Sequence, residues 1–150
     1  MKTFVLAAAI AGLAMPAVAQ DFDAQLKARQ GQFRILAINL GILGDMAKGE
    51  VDYSAEAAQD AADSIQAISM VNQPPLWPEG SGADSRDGTR AKAEIWGDFD
   101  DFTSKWAALG EQATALQASA GDGREAVGAG LRELGGACKA CHDSYRASPN

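Results

Sequence analysis

Cysteine and histidine are nearly absent from this chain, with two of the first and one of the second among 150 residues. That scarcity excludes a disulfide framework, and it excludes a structural zinc centre, which wants four ligands and typically two cysteine or histidine pairs. Cations are in the minority, 13 Lys and Arg against 20 Asp and Glu, for a net charge of −7. An acidic balance of this size argues against nucleic acid and anionic membrane surfaces as partners. β-Branched residues are sparse and no stretch alternates apolar with polar side chains, so strands find no support. Beyond residue 19 there is no long uncharged apolar run, which argues against membrane insertion.

What is present is concentrated. Both cysteines and the histidine fall in one pentapeptide, Cys138-Lys139-Ala140-Cys141-His142, close to the C-terminus. This C-x-x-C-H spacing is the one that attaches a c-type haem, with thioether bonds to Cys138 and Cys141 and the adjacent His142 imidazole on the iron. A thioredoxin-like motif would open a helix beside a β-α-β pattern, whereas this one ends a long helical run. A disulfide between cysteines three apart on one helix has poor geometry.

The N-terminus reads as a secretory signal. Met1-Lys2-Thr3 is a short positive start, Phe4 to Met15 is apolar, and Ala17-Val18-Ala19 after Pro16 is a small-residue cleavage site. The expected organisation is therefore a signal peptide over 1–19 and one domain over 20–150. Loss of Lys2 takes the charge to −8. Export points to the periplasm, where covalent haem attachment takes place.

Abundant Ala and Gly with helical apolar spacing predict an all-α fold of four long segments. The first runs from about Phe22 to Ala47 and carries Leu26, Phe33, Leu36, Leu40 and Leu43 on one face. The second starts from an Asp52 or Ser54 cap, carries Ala58, Ala61, Ile65 and Ile68, and must stop before Pro74-Pro75. A loop over Gln73 to Thr89 follows, long enough to be a crossover or functional loop. The third segment repeats Ile95, Phe99, Phe102, Trp106, Leu109, Ala113 and Leu116 as a heptad seam, and the fourth repeats Val127, Leu131, Leu134, Cys138, Cys141 and Tyr145. The second seam passes through both cysteines, so a haem would insert between helices.

Short connections favour an antiparallel up-down-up-down four-helix bundle. The haem end then gathers Arg29, Gln30 and Phe33 from the first helix, Met70 and Trp77 from the second region, and Ile95, Trp96 and Phe99 from the third. Arg146 follows His142 by one turn, which brings it near the imidazole or a haem carboxylate, or leaves it as a helix-dipole partner. Only eight residues follow His142, so a second axial ligand must come from earlier helices. Met46 lies about 20 Å along the helix from Phe33 and misses the haem level, while Met70 sits at the correct end.

Arg29-Gln30, Glu94-Ile95-Trp96 and Cys138-Lys-Ala-Cys-His142-Asp-Ser-Tyr145-Arg146, in this order, resemble the cytochrome c prime family, and the likeness covers essentially the whole mature chain. The resemblance implies a bulky apolar side chain above the iron four residues after the first-helix arginine, here Phe33, and an arginine flanking the proximal pocket, here Arg146. It implies a five-coordinate haem that binds NO and CO and exchanges single electrons with redox partner proteins, in a homodimer paired through the first two helices. A six-coordinate electron carrier with Met70 on the iron is the alternative. No second histidine or distal acid is available for peroxidase chemistry, so the expectation is a protein that is not an enzyme.

Overall fold

The structure is a computed structural model that describes residues 21–149; the expected signal peptide and its cleavage site lie outside the described residues. The helices are α1 (Asp23–Lys48), α2 (Ala55–Ser69), α3 (Glu94–Gly97), α4 (Phe99–Ser119) and α5 (Arg124–Tyr145), with no strand among the described residues. The four long ones form the expected four-helix bundle, α1 and α4 each packing between α2 and α5. Leu36, Leu43, Ile65, Leu109, Leu116, Val127 and Leu134 close its core, each contributing roughly 1.5–3 kcal/mol by leaving water. The small residues Ala58, Ala61 and Ala62 of α2 are buried in the same core, so that stripe serves packing inside the protomer.

Local signals set the helix ends. Gly49 closes α1 in the left-handed region at φ 79°, donating to the carbonyls of Asp45 and Met46. Of the two caps expected for α2, Ser54 is the one used, its hydroxyl accepting from the Ala57 N–H at 3.2 Å. At the same end of the bundle the Tyr53 hydroxyl donates to the Ala120 carbonyl at 2.7 Å and accepts from the Gly123 N–H at 3.0 Å.

The third expected segment corrects in one respect. Its seam from Ile95 to Leu116 is broken at Asp98, where the backbone leaves helical angles and the carboxylate caps α4 by accepting from the Asp101 N–H at 3.0 Å. Gly97 and Asp98 are a poor helix interior and a good cap, and this local preference overrides the seam. Ile95 and Trp96 consequently sit on the separate turn α3.

Residues 70–93 form a strap over the end of the bundle. Pro74–Leu76 make a single tight turn, and Ala91 pairs with Arg146 as an isolated antiparallel bridge. The Lys92 N–H donates to the Tyr145 carbonyl at 3.0 Å and the Ala147 N–H to the Arg90 carbonyl at 2.8 Å, so the strap holds the last turn of α5. The Gln30 amide donates to the Gly88 carbonyl at 2.9 Å and Arg86 pairs with Asp23, which ties it to α1 as well.

Candidate haem site

Cys138 and Cys141 are free thiols, half-buried near the end of α5. Cys138 packs against the main core and Cys141 against a second cluster of Trp77, Ala91, Ile95, Phe102 and Tyr145. Burial pushes both thiols above their ordinary range, the opposite of what a thiolate redox pair requires. His142 follows on the exposed side of the same turn. Partial burial and the neighbouring Arg90 charge lower its pKa, favouring the neutral imidazole that can bind a metal.

The wall facing the cysteines is aromatic. Trp77 stands edge-on to Phe102 at 4.8 Å between ring centroids, Phe102 edge-on to Tyr145 at 5.4 Å, and Phe99 lies 5.6 Å from Phe102. Trp96 is fixed by its indole N–H donating to the Trp77 carbonyl at 3.0 Å. The Tyr145 hydroxyl is 2.5 Å from the Asp101 carboxylate, and burial and that carboxylate raise its pKa well above the ordinary phenol value. Phe33 leans from α1 onto Trp106 of α4, edge-on at 6.1 Å. At 39% exposure it is among the more open large apolar side chains, at the mouth of this end of the bundle.

Arg29 stands one turn before Phe33 and is only 2% exposed. Its guanidinium donates to the Ser81 hydroxyl at 3.2 Å and the Ser81 carbonyl at 3.1 Å, and lies 4.5 Å from the Trp77 ring centroid. Burial and the nearby Arg86 charge lower its pKa. Its Nε has no acceptor, and among the described residues no carboxylate pairs with it. A buried cation without a counter-charge is costly, and an anionic group seated against it would remove that cost.

The expected site residues are not all gathered in one place. Arg29, Phe33, Trp96, Phe99, Cys138, Cys141, His142, Tyr145 and Arg146 come to one end of the bundle. Gln30 is there too, but its amide is taken by the strap. Met70 is 67% exposed; its sulfur accepts from the Gln66 amide at 3.5 Å, in a shallow groove of about 500 Å³ lined by Ser69, Gly110, Glu111 and Thr114. That groove lies on the α2 flank of α4, whereas Lys105, near enough to influence Cys141, marks the α5 flank. Ser81, Trp106 and Asp101 escaped the sequence reading as site residues, because each matters through a partner distant in sequence.

These residues fit a covalently held haem: two unpaired half-buried thiols on the packed side of α5, an adjacent imidazole whose neutral form is favoured, an apolar aromatic wall and an orphaned buried guanidinium. Among the described residues no three His, Cys, Asp or Glu side chains gather into an alternative metal site. A C-x-x-C-H motif on the packed face of a bundle's last helix defines a helical c-type cytochrome.

Comparison with known proteins narrows this further. The family model for cytochrome c' matches residues 24–146, and the chain belongs to that family. It is 38% identical to cytochrome c' of Cereibacter sphaeroides over 146 residues, 97% of this chain and 98% of that protein. It is 39% identical over 137 residues to a cytochrome c-554 of the same organism, covering 89% of this chain and 90% of the relative. A solved Rhodobacter cytochrome c' superposes with a TM-score of 0.82 at 38% identity, over 87% of this chain and all of that one.

Proposed function

We propose that the protein is a periplasmic cytochrome whose single haem c, bound through Cys138 and Cys141, is five-coordinate, with His142 the only protein ligand to iron. Such a haem supplies reversible one-electron exchange and a vacant iron face for a diatomic ligand. The observation that carries the reading is the pairing of Phe33 with Trp106 beside the cysteine-bearing helix while Met70 turns into the α2/α4 groove. A phenyl ring there would cover an open iron face without bonding to it. The phenyl side chain offers no hydrogen-bond donor, which favours NO and CO over dioxygen, a ligand that needs polar stabilisation. A solved relative from Alcaligenes xylosoxidans is a nitric oxide complex.

Arg29 neutralises a haem carboxylate in this reading, and Trp96, Phe99 and Tyr145 shape the apolar pocket. Arg146, held at the end of α5 by the strap, flanks the proximal side. The role is carriage of electrons and gas rather than catalysis, since no protonatable side chain is assigned to the distal face. The exposed stripe Ile35, Ile38 and Ile42 along α1 supports a homodimer paired through the first helices. Export is supported by the leader-like N-terminus, and no helix among the described residues is long and apolar enough to cross a membrane.

Optical and electron paramagnetic resonance spectra of the ferric and ferrous holoprotein test the assignment. High-spin iron in both states is expected. Low-spin iron would mean a sixth protein ligand, with Met70 the first to examine, and would make the protein a plain electron carrier.

A further inference from the structure

The chain's charge is unevenly distributed along the bundle. Around the cysteine motif, in segments 21–34, 70–105 and 136–149, nine Lys and Arg stand against ten Asp and Glu. In segments 35–69 and 106–135, toward the opposite end, three stand against ten. One end is thus near neutrality while the other carries almost the whole negative charge. The 21 residues of α4, about 30 Å long at the usual helical rise, run from one end to the other.

The cations nearest the motif have a particular arrangement. Lys92, Lys105 and Lys139 are paired with Glu94, Asp101 and Asp143. Arg90 and Arg146 have no carboxylate partner among the described residues. The Ala91 to Arg146 bridge and the bond from Ala147 to the Arg90 carbonyl hold the backbones of these two arginines close together on the strap and the helix end, with the Arg90 charge near His142. The three lysines are thus neutralised locally, and the unpaired positive charge on the exposed side of the motif is that of Arg90 and Arg146. At ~0.1 M ionic strength the Debye length is about 10 Å, so the acidic far end is screened from anything docking there.

We propose that this face, centred on Arg90, Arg146 and Lys139, is the docking surface for a redox protein that presents a carboxylate-rich patch. The proposal rests on the electron-exchange reading above and adds the sign of the partner's surface. Guanidinium groups suit the role because they bind carboxylates in a bidentate fork at low ordering cost. The acidic far end reinforces it by repelling the same partner, so that encounters are oriented toward the haem motif.

The reduced holoprotein is oxidised in a stopped-flow instrument by either of two probes, anionic hexacyanoferrate(III) or cationic tris(phenanthroline)cobalt(III). In each case one electron leaves the protein and reduces the probe metal by one unit. From ~0.1 M to ~1 M salt, where screening shrinks from about 10 to 3 Å, the rate with the anion should fall about threefold or more and that with the cation should rise. Arg90→Glu combined with Lys139→Glu should reverse both slopes. In an independent readout, amide NMR titration of the holoprotein with polyglutamate should shift residues 90–92 and 139–147, leaving 52–63 unmoved. An anionic probe that accelerates with salt, as the net charge alone dictates, would overturn the docking assignment while leaving electron exchange intact. Failure of both probes to oxidise the protein would overturn the electron-exchange reading itself, and this inference with it.

Discussion

Replacing Phe33 with Ala tests the distal assignment most directly, because the barrier that the ring imposes can be worked out from its surroundings. About three-fifths of the residue is covered, since its exposure is 39%. A Phe side chain presents on the order of 200 Å², so roughly 120 Å² is at stake, about 3 kcal/mol at ~25 cal per Å². The edge-on contact with Trp106 at 6.1 Å adds about 1 kcal/mol. A diatomic ligand that must expel the ring completely therefore meets a barrier of up to about 4 kcal/mol, or roughly a thousandfold in rate. Partial displacement costs less, so Phe33→Ala should speed CO association with the ferrous holoprotein between about tenfold and a thousandfold. Flash photolysis or rapid mixing with CO measures this. An association rate within about twofold of the parent's, in a variant that still melts cooperatively, would place Phe33 away from the iron and refute the reasoning.

The proximal side has its own test: His142→Ala should keep the haem covalently attached while its ferrous and ferric spectra change, and unchanged spectra would mean another residue is the ligand. The Asp101–Tyr145 contact predicts a pH response at both extremes. The Tyr145 hydroxyl, and then Lys105, hold the Asp101 carboxyl below its ordinary value, so its stabilisation is present above about pH 4 and is lost as pH falls below that. The Tyr145 phenol is raised by burial and by Asp101, so its contribution is present below about pH 10 and is lost as pH rises further. Tyr145→Phe should therefore flatten both limbs of a melting-temperature profile, and identical profiles for the two proteins would refute the coupling. Away from the site, a Cβ at Gly130 would meet Leu116 Cδ1 at 2.6 Å and Leu116 Cβ at 3.3 Å. Gly130→Ala should thus cost about 1–3 kcal/mol in denaturant unfolding, with no change in the haem spectrum.

Legibility in the sequence followed physical range. The bundle could be read because its apolar seams are periodic, and Cys138, Cys141 and His142 because their chemistry needs fixed short spacings. The break at Asp98 was hidden, since a one-residue capping preference sits inside an otherwise regular seam. Arg29 could be named from its place on α1, but not its buried state, which depends on Ser81 across 52 positions and on a strap that a Pro- and Gly-rich composition alone describes only as loop.

Met70 and Phe33 show why height along a bundle is insufficient to place a ligand. Both stand at the haem end, and on height alone either could reach the iron. Rotation about the helix axis separates them. Ile65 and Ser69 at the end of α2 are buried, so the next residue turns about 100° away from that inward line at 3.6 residues per turn. That turn carries Met70 into the groove against Gly110 and Thr114. Phe33, four residues beyond the buried Arg29, keeps nearly the same azimuth. It therefore stays over the opening where Trp106 supports it. For Met70 to ligate an iron beside Phe33, its side chain would first have to leave the groove against Gly110 and Thr114.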